Sequence, residues 1–146
     1  MLFRSDRGDL LHRIAGPVIE GTHDFVLASR TRALREPGSM SWHQVLAGQI
    51  FGFLLFVRFG KRYSDMCAFR AIRRDTLAKL GMREELFGWN IEMQMQAARL
   101  KLRIQEVPMP YRCRRGGESK VAGSLGGTLR AAKGIVGTYV RIAFGR

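Results

Sequence analysis

The sequence predicts an α/β fold, because three short strand patterns alternate with helical patterns along the chain. The strand candidates are residues 24–29 (DFVLAS), 65–72 (DMCAFRAI) and 103–112 (RIQEVPMPYR). Helical patterns at residues 42–59 and 87–102 lie between them. Three strands are few for a sheet that helices cover, so we expect an incomplete sheet whose first part is missing.

The first element is predicted to be a helix beginning near residue 10, after aspartates that are able to cap it. Its apolar residues recur at helical spacing: Leu10, Leu11, Ile14, Val18 and Ile19. Gly16 and Pro17 interrupt the pattern, so we expect the helix to break or kink there.

After a loop at residues 31–41, the apolar stretch 42–59 predicts a long helix. We expect Trp42 and the phenylalanines of this helix to lie mainly in the core. Its longest apolar run, residues 45–57, is too short to span a bilayer. A short helix at 74–80 is predicted to end at Gly81, since glycine readily forms the last turn.

The C-terminal region combines a basic, glycine-rich loop at residues 114–123 with a predicted amphipathic helix at 121–144. Apolar residues share one face of this helix, while Arg130, Lys133 and Arg141 lie together on another. Such a helix is typical of a membrane interface, and equally of a core helix that packs on a sheet.

The charge favours an anionic partner, because 25 Lys and Arg against 12 Asp and Glu give a formal charge of +13. Anionic lipid and phosphorylated small molecules fit this charge best. Nucleic acid fits poorly, since no recognised binding motif is present and the aromatics do not alternate with basic residues. The histidines and cysteines show no metal-ligand spacing, which favours a reducing compartment over a zinc or disulfide scaffold.

Five segments carry a family resemblance: DFVLASR (24–30), EPGSMSWHQ (36–44), SDMCAFRAIRRD (64–75), FGWNIEMQMQA (87–97) and EVPMPYRCRRGGESKV (106–121). In this order they resemble the second half of family 2 glycosyltransferases, in the subgroup that includes polyprenyl- and dolichyl-phosphate sugar synthases. The resemblance implies a partial GT-A fold, Rossmann-like, that lacks the N-terminal nucleotide-binding half.

We therefore expect one incomplete glycosyltransferase domain over residues 1–146. Residues 6–120 would form the C-terminal half of the catalytic domain, and 121–146 the basic amphipathic helix.

The implied activity is sugar transfer from a nucleotide-sugar to a polyprenyl-phosphate-type lipid, by a cytoplasmic enzyme peripheral on the inner face of the cell membrane. The family holds a divalent metal, Mg or Mn, with an acidic motif. Met1 and Phe3 align with its two aspartates, so we expect this chain to bind no metal and to be inactive alone. The alternative is a non-catalytic peripheral membrane protein with a degenerate fold.

The resemblance also implies the site residues. Arg30 matches an arginine that points toward the acceptor phosphate, and Asp65 lies near the reaction centre, although Ala68 replaces the family's glycine. Glu92 matches an acidic residue that faces the active site, as a base or as an anchor of the acceptor loop. In the basic loop, Arg115, Ser119 and Lys120 would bind phosphate, because the glycines let backbone N–H groups approach an anion.

Each of these residues also has an ordinary structural explanation. Arg30 would be a solvated loop arginine, and Asp65 a cap on the turn that follows a strand. Glu92 would be a buried carboxylate paired with Arg70 or Arg73. The basic loop would be a solvated surface.

Overall fold

The computed structural model describes residues 8–113 and 125–145. After a 3-10 turn at Gly8–Leu10, the elements are α1 (Leu11–Ile19), β1 (Phe25–Ser29), α2 (Trp42–Phe59), β2 (Arg70–Ile72), α3 (Arg74–Lys79), α4 (Trp89–Arg99), β3 (Ile104–Pro108) and α5 (Leu125–Phe144). This mixture of helices and strands confirms the predicted α/β class. Gly81 follows α3 with φ +60°, as its predicted role at the helix end requires.

Strand β1 is the centre of the sheet in the described part of the chain, which has the order β2-β1-β3. It runs antiparallel to β2 and parallel to β3. All five residues of β1 are buried. Phe25 and Leu27 join the core on one face, whereas Val26 and Ala28 join the core on the other. A strand covered on both faces has to be apolar throughout, which explains the run FVLA.

Helices cover both faces of this sheet. On one face, Ile14 and Val18 of α1 lie in a core with Val107 of β3. The core on the other face includes Leu55 of α2, Ile91 and Met95 of α4, and Ile142 of α5. The arrangement is compatible with a partial glycosyltransferase-like fold. No helix within the described ranges is long and apolar enough to cross a membrane.

Helix α4 is buried on nearly all sides, more fully than its predicted apolar stripe requires. Within the helical pattern 87–102, the apolar stripe that predicts the buried side is Ile91, Met95, Ala98 and Leu102. The first three are buried, whereas Leu102 lies beyond the end of α4 and is half-buried. Glu92 and Gln94 are buried as well. The reason is that α5 packs against α4 and covers a second side of it.

The predicted break in α1 is wrong, because the helix continues from Leu11 to Ile19 with Pro17 inside it. A proline in a helix removes one backbone hydrogen bond and costs about 3 kcal/mol. Ile14 and Val18 lie one turn apart and both are buried. We infer that burying these two side chains outweighs the local cost, which a reading of the sequence alone does not include.

Strand β2 is shorter than predicted and covers only Arg70–Ile72. Side-chain contacts replace the expected strand pairing at residues 65–68, whereas the backbone oxygen of Phe69 still accepts the N–H of Ala28 at 2.9 Å. The Arg70 guanidinium donates hydrogen bonds to the backbone oxygen of Cys67, and Asp65 is held by a side chain that follows β1. Polar groups satisfied in this way do not need a neighbouring strand.

Helix α2 has the predicted bounds, but its aromatic residues are not all in the core. Trp42 is 77% exposed, and Phe53 and Phe56 are also exposed. The expectation of core positions is therefore wrong for these three residues. Hydrophobicity identified the helix, but it did not distinguish buried from exposed apolar faces.

Helix α5 packs on α4 and α2 rather than directly on the sheet. Arg58 Nε donates to the backbone oxygen of Ala143 at 3.0 Å, and the rings of Phe51 and Tyr139 lie 6.1 Å apart. The three residues of the predicted basic face, Arg130, Lys133 and Arg141, are all exposed, and Arg141 also forms ion pairs with Glu84 and Glu92.

The buried face of α2 approaches the chain that follows it through two glycines. A Cβ on Gly48 would lie 3.9 Å from the Cα of Asp65. A Cβ on Gly52 would collide with the backbone oxygen of Tyr63. Only glycine fits at position 52 without moving the backbone of the segment that contains Asp65.

We predict that Gly52→Ala destabilises the protein by about 1–3 kcal/mol, because the added methyl group overpacks this contact. Gly137→Ala in α5 is the matched control, since its Cβ would meet nothing within 4 Å. That change is expected to stabilise by about 0.5–1 kcal/mol, through helix propensity alone. Urea unfolding followed by circular dichroism measures both, and equal effects would contradict the proposed close approach.

Candidate functional site

An ion pair between Arg30 and Asp65 lies at the end of the central strand. Arg30 directly follows β1, and Asp65 lies in the segment after α2. The Asp65 carboxylate accepts the backbone N–H of Arg30 at 3.0 Å, its Nε–H at 2.7 Å and its Nη2–H at 2.7 Å. The Asp65 side chain is 3% exposed and that of Arg30 is 21% exposed. Such a two-pronged geometry fixes the plane of the guanidinium as well as its charge.

The environment keeps Arg30 protonated. Burial alone would lower the pKa of its guanidinium, but the hydrogen bonds and the charge of Asp65 outweigh burial and raise this pKa above its ordinary value. The contacts with Asp65 use Nε and Nη2, and Nη1 has no hydrogen-bond partner among the residues that the structure describes. Arg30 is thus an oriented cation that Asp65 holds through two of its three guanidinium nitrogens.

Tyr111 lies against the guanidinium of Arg30, with the ring centroid 5.1 Å from its central carbon. This distance suits a cation–π contact. The backbone N–H of Tyr111 donates to the oxygen of Leu34 at 3.3 Å. Residues 34–36 and the segment after β3 are therefore joined beside Arg30.

Hydroxyl side chains from the residues next to Arg30 and Asp65 in the chain stabilise this ion pair. The Oγ atoms of Ser29 and Ser64 are 2.7 Å apart, and Thr31 Oγ1 donates to the backbone oxygen of Ser64 at 3.1 Å. Gln94 of α4 donates from Nε2 to the backbone oxygen of Asp65 at 2.8 Å. Asp65 is consequently held by α4 as well as by Arg30.

Glu106 of β3 belongs to the same hydrogen-bond network, and its role was not predicted from the sequence. Its Oε1 accepts the backbone N–H of Ser64 at 2.9 Å and the Ser64 hydroxyl at 3.0 Å. Arg32 Nη1 lies 3.9 Å from its Oε2. The signal was present, since Glu106 is an ionisable residue within a strand pattern, just as Glu92 is one within an apolar helix.

Glu92 is fully buried in a second polar group, around α4 and α5. Its Oε2 accepts the backbone N–H groups of Arg83 at 3.0 Å and Glu84 at 2.7 Å. Arg141 Nη2 lies 3.3 Å from Glu92 Oε1 and 2.9 Å from Glu84 Oε1. Glu92 thereby anchors the segment between α3 and α4, and its expected roles as a base or as an anchor of the acceptor loop stay predictions.

The expected pairing of Glu92 with Arg70 or Arg73 is wrong. Arg70 Nη1 donates to the backbone oxygen of Asn90 at 3.3 Å, and Arg73 lies 4.0 Å from Asp24. The partner of Glu92 is Arg141, which is 49 residues away in the sequence. The structure thus brings Arg30 and Asp65 together and places Glu92 in a different hydrogen-bond network.

Three predicted phosphate-binding residues, Arg115, Ser119 and Lys120, lie outside the described residues, so their role stays a prediction. The chain that precedes them in sequence is well held. Glu36 Oε2 accepts the backbone N–H of Cys113 at 2.6 Å. The predicted loop therefore follows directly on the segment that contacts Arg30.

The described residues do not fit a divalent-metal site. Within residues 8–113 and 125–145, no group of three His, Cys, Asp or Glu side chains is placed to hold a metal ion. The acidic side chains near the site have other partners, since Asp65 binds Arg30 and Glu106 binds Ser64.

The chain is similar to proteins named glycosyltransferases. It is 37% identical over 67 residues to uncharacterized glycosyltransferases of Mycobacterium tuberculosis and Mycobacterium bovis, over 46% of this chain and 31% of theirs. It is 31% identical over 121 residues to the undecaprenyl-phosphate mannosyltransferase of Micrococcus luteus, over 73% of this chain and 45% of that protein. No protein-family model and no solved structure matches it significantly.

These matches span less than half the length of the relatives, at 31% and 45%. The similarity to glycosyltransferases therefore extends over only part of each relative.

We predict that Asp65→Asn destabilises the protein by about 3 kcal/mol, because it leaves a half-buried guanidinium without its counter-charge. Asp24→Asn is the control. Asp24 pairs with Arg103 at 2.7 Å, but that arginine is 55% exposed, so the loss is expected to stay below about 1 kcal/mol. Urea unfolding at pH 7 measures both, and similar losses for the two variants would argue against a structurally essential Arg30–Asp65 pair.

Proposed function

We propose that this chain forms the acceptor side of a family 2 glycosyltransferase with a GT-A fold, which transfers a sugar from a nucleotide-sugar to a polyprenyl-phosphate-type lipid. The observation that carries the proposal is the orientation of Arg30 by Asp65, which leaves Nη1 without a hydrogen-bond partner among the described residues. The name of the Micrococcus luteus relative gives independent support for a polyprenyl-phosphate acceptor.

In this reaction an oxygen of the lipid phosphate attacks the anomeric carbon of the sugar. The new carbon–oxygen bond forms as the bond to the diphosphate of the donor breaks, and the nucleoside diphosphate leaves. A phosphate oxygen is already negative, so it needs positioning more than it needs a base. Arg30 would supply this positioning by binding the phosphate through Nη1.

On this proposal Asp65 orients Arg30 and takes no proton from the acceptor. Both of its carboxylate oxygens accept hydrogen bonds from Arg30. Glu92 anchors the segment between α3 and α4 in the same way, since its oxygens are occupied by two backbone N–H groups and Arg141. In the basic loop, Arg115, Ser119 and Lys120 would add further phosphate ligands.

We assign no step to a metal within this chain, because the described residues do not fit a metal site. The nucleotide-sugar and its divalent metal, Mg or Mn, would be bound by a part of the protein other than residues 8–113 and 125–145. The chain by itself is therefore expected to be inactive as a transferase.

The protein is proposed to work while peripheral on the inner, cytoplasmic face of an anionic cell membrane. Helix α2 exposes a continuous apolar stripe: Trp42, Leu46, Ile50, Phe53 and Val57. Its opposite face carries Gly48, which lies against Asp65. The helix thus connects the phosphate site with an apolar surface that suits the acyl boundary of a bilayer.

Helix α5 extends the proposed membrane surface. It exposes Leu129, Val136, Val140 and Phe144, and its exposed Arg130 and Lys133 are available to anionic headgroups. The formal charge of +13 favours such a surface. A non-catalytic peripheral membrane protein would share this docking but would not bind lipid phosphate at Arg30.

We expect Arg30→Met to weaken the binding of a short-chain prenyl phosphate at least about tenfold, because a charge-assisted hydrogen bond is worth about 1.5–3 kcal/mol. Arg103→Met is the control, since Arg103 is an exposed arginine paired with Asp24. Isothermal titration calorimetry measures both affinities. Equal losses, or none, would favour the non-catalytic alternative.

We expect Phe53→Asp to weaken binding to anionic phosphatidylglycerol-containing vesicles about tenfold, because it removes an apolar side chain from the bilayer boundary. Leu100→Asp is the control, since Leu100 is an exposed apolar residue beyond the end of α4. Co-sedimentation with vesicles gives the bound fraction. If both variants bind like the unmodified chain, α2 is not the docking surface.

A further inference from the structure

Glu106 is a largely buried carboxylate whose hydrogen bonds, among the residues that the structure describes, come from neutral groups. Its side chain is 9% exposed, and its ion-pair partner among the described residues, Arg32, is 3.9 Å away and 56% exposed. That distance and exposure make a weak ion pair. A buried charge is expensive to keep without good partners, so this position needs a reason beyond charge pairing.

Within residues 8–113 and 125–145, both hydrogen bonds of Glu106 come from one residue, Ser64. Oε1 accepts both the backbone N–H and the hydroxyl of Ser64. Fixing both groups defines the position and the orientation of the backbone at residue 64. The next residue in the chain is Asp65, whose carboxylate holds Arg30.

Ser64 also fixes the residues on either side of Arg30. The hydroxyl of Ser29 lies 2.7 Å from that of Ser64, and Thr31 donates to the backbone oxygen of Ser64. Ser64 therefore contacts Ser29 and Thr31, which flank Arg30 in the chain, and it directly precedes Asp65, the counter-ion of Arg30. A displacement of Ser64 would therefore move Arg30 through Ser29, through Thr31 and through Asp65.

We propose that Glu106 is a positioning residue of the phosphate site, which sets the orientation of Arg30 through Ser64 and Asp65. The proposal rests on the proposed function insofar as Arg30 binds a lipid phosphate. It assigns Glu106 no contact with the ligand. What matters is the acceptor oxygen that holds Ser64, and the negative charge is secondary.

The choice of variants separates the acceptor from the charge. In Glu106→Gln, the amide oxygen still accepts both hydrogen bonds from Ser64 while the charge is lost. In Glu106→Ala, the acceptor is lost as well. Ser64→Ala keeps the backbone N–H bond and removes the hydroxyl contacts, and it provides a milder test should Glu106→Ala fail to fold.

The first measurement is the ¹⁵N NMR resonance of the Arg30 Nε–H group, assigned by its loss in Arg30→Lys. It reports the Arg30–Asp65 hydrogen bond directly. We expect Glu106→Gln to leave the resonance in place, and Glu106→Ala and Ser64→Ala to shift or broaden it. Asp24→Asn is the control, because it affects the distant pair with Arg103. An unchanged resonance in folded Glu106→Ala or Ser64→Ala would overturn the proposal.

The second measurement is the affinity for a short-chain prenyl phosphate. We expect Glu106→Ala to lose about tenfold, Ser64→Ala about threefold, and Glu106→Gln less than about twofold. If Glu106→Gln and Glu106→Ala both bind the prenyl phosphate more tightly than the unmodified chain, Glu106 acts by repelling the anion, and the positioning role is wrong. If the unmodified chain does not bind while the NMR resonance still responds as expected, the positioning role stands and the proposed function fails.

Discussion

The pairing of Arg30 with Asp65 is the interaction on which the arrangement of the site depends. The Asp65 side chain is 3% exposed, and a carboxylate so far from water requires a charged partner. Arg30 meets this requirement at the end of β1, and Gln94 of α4 holds the backbone of the same aspartate. One buried charge therefore joins the central strand, the segment after α2, and α4 at a single point.

A second buried carboxylate organises the opposite side of α4. Glu92 holds the segment between α3 and α4 through backbone N–H groups and holds α5 through Arg141. The two faces of α5 therefore have different environments. One is fixed against α4 by packing and by an ion pair, and the other exposes apolar residues. A helix fixed in this way presents a surface of defined orientation, as the proposed docking on a bilayer requires.

Local patterns in the sequence were enough to predict most of the secondary structure. The apolar run of β1 and the long apolar stretch of α2 identified those elements, because periodicity and length are local properties. The extent of β2 and the continuity of α1 were not predicted. Both depend on contacts with distant residues, such as the packing of Ile14 and Val18 on the sheet.

The residues of the candidate site were predicted in part, and what the sequence did not show is which of them contact each other. Arg30 and Asp65 were identified separately, but 35 residues separate them, and no local signal showed that both carboxylate oxygens are occupied. The partner of Glu92 lies farther still along the chain, in α5. Glu106 could have been found from its charge within a strand, whereas its link to Ser64 required the structure.

Photo-crosslinking tests the central claim most directly, namely that a lipid phosphate binds at Arg30. A prenyl phosphate with a photoreactive group next to the phosphate would be bound to the chain on anionic vesicles, irradiated, and its adducts mapped by mass spectrometry. We predict adducts at residues 30–36 and 111–113 that an excess of unlabelled prenyl phosphate removes and the uncharged prenol does not. Adducts confined to α5, or equal competition by prenol, would contradict the assignment of Arg30 as the phosphate ligand.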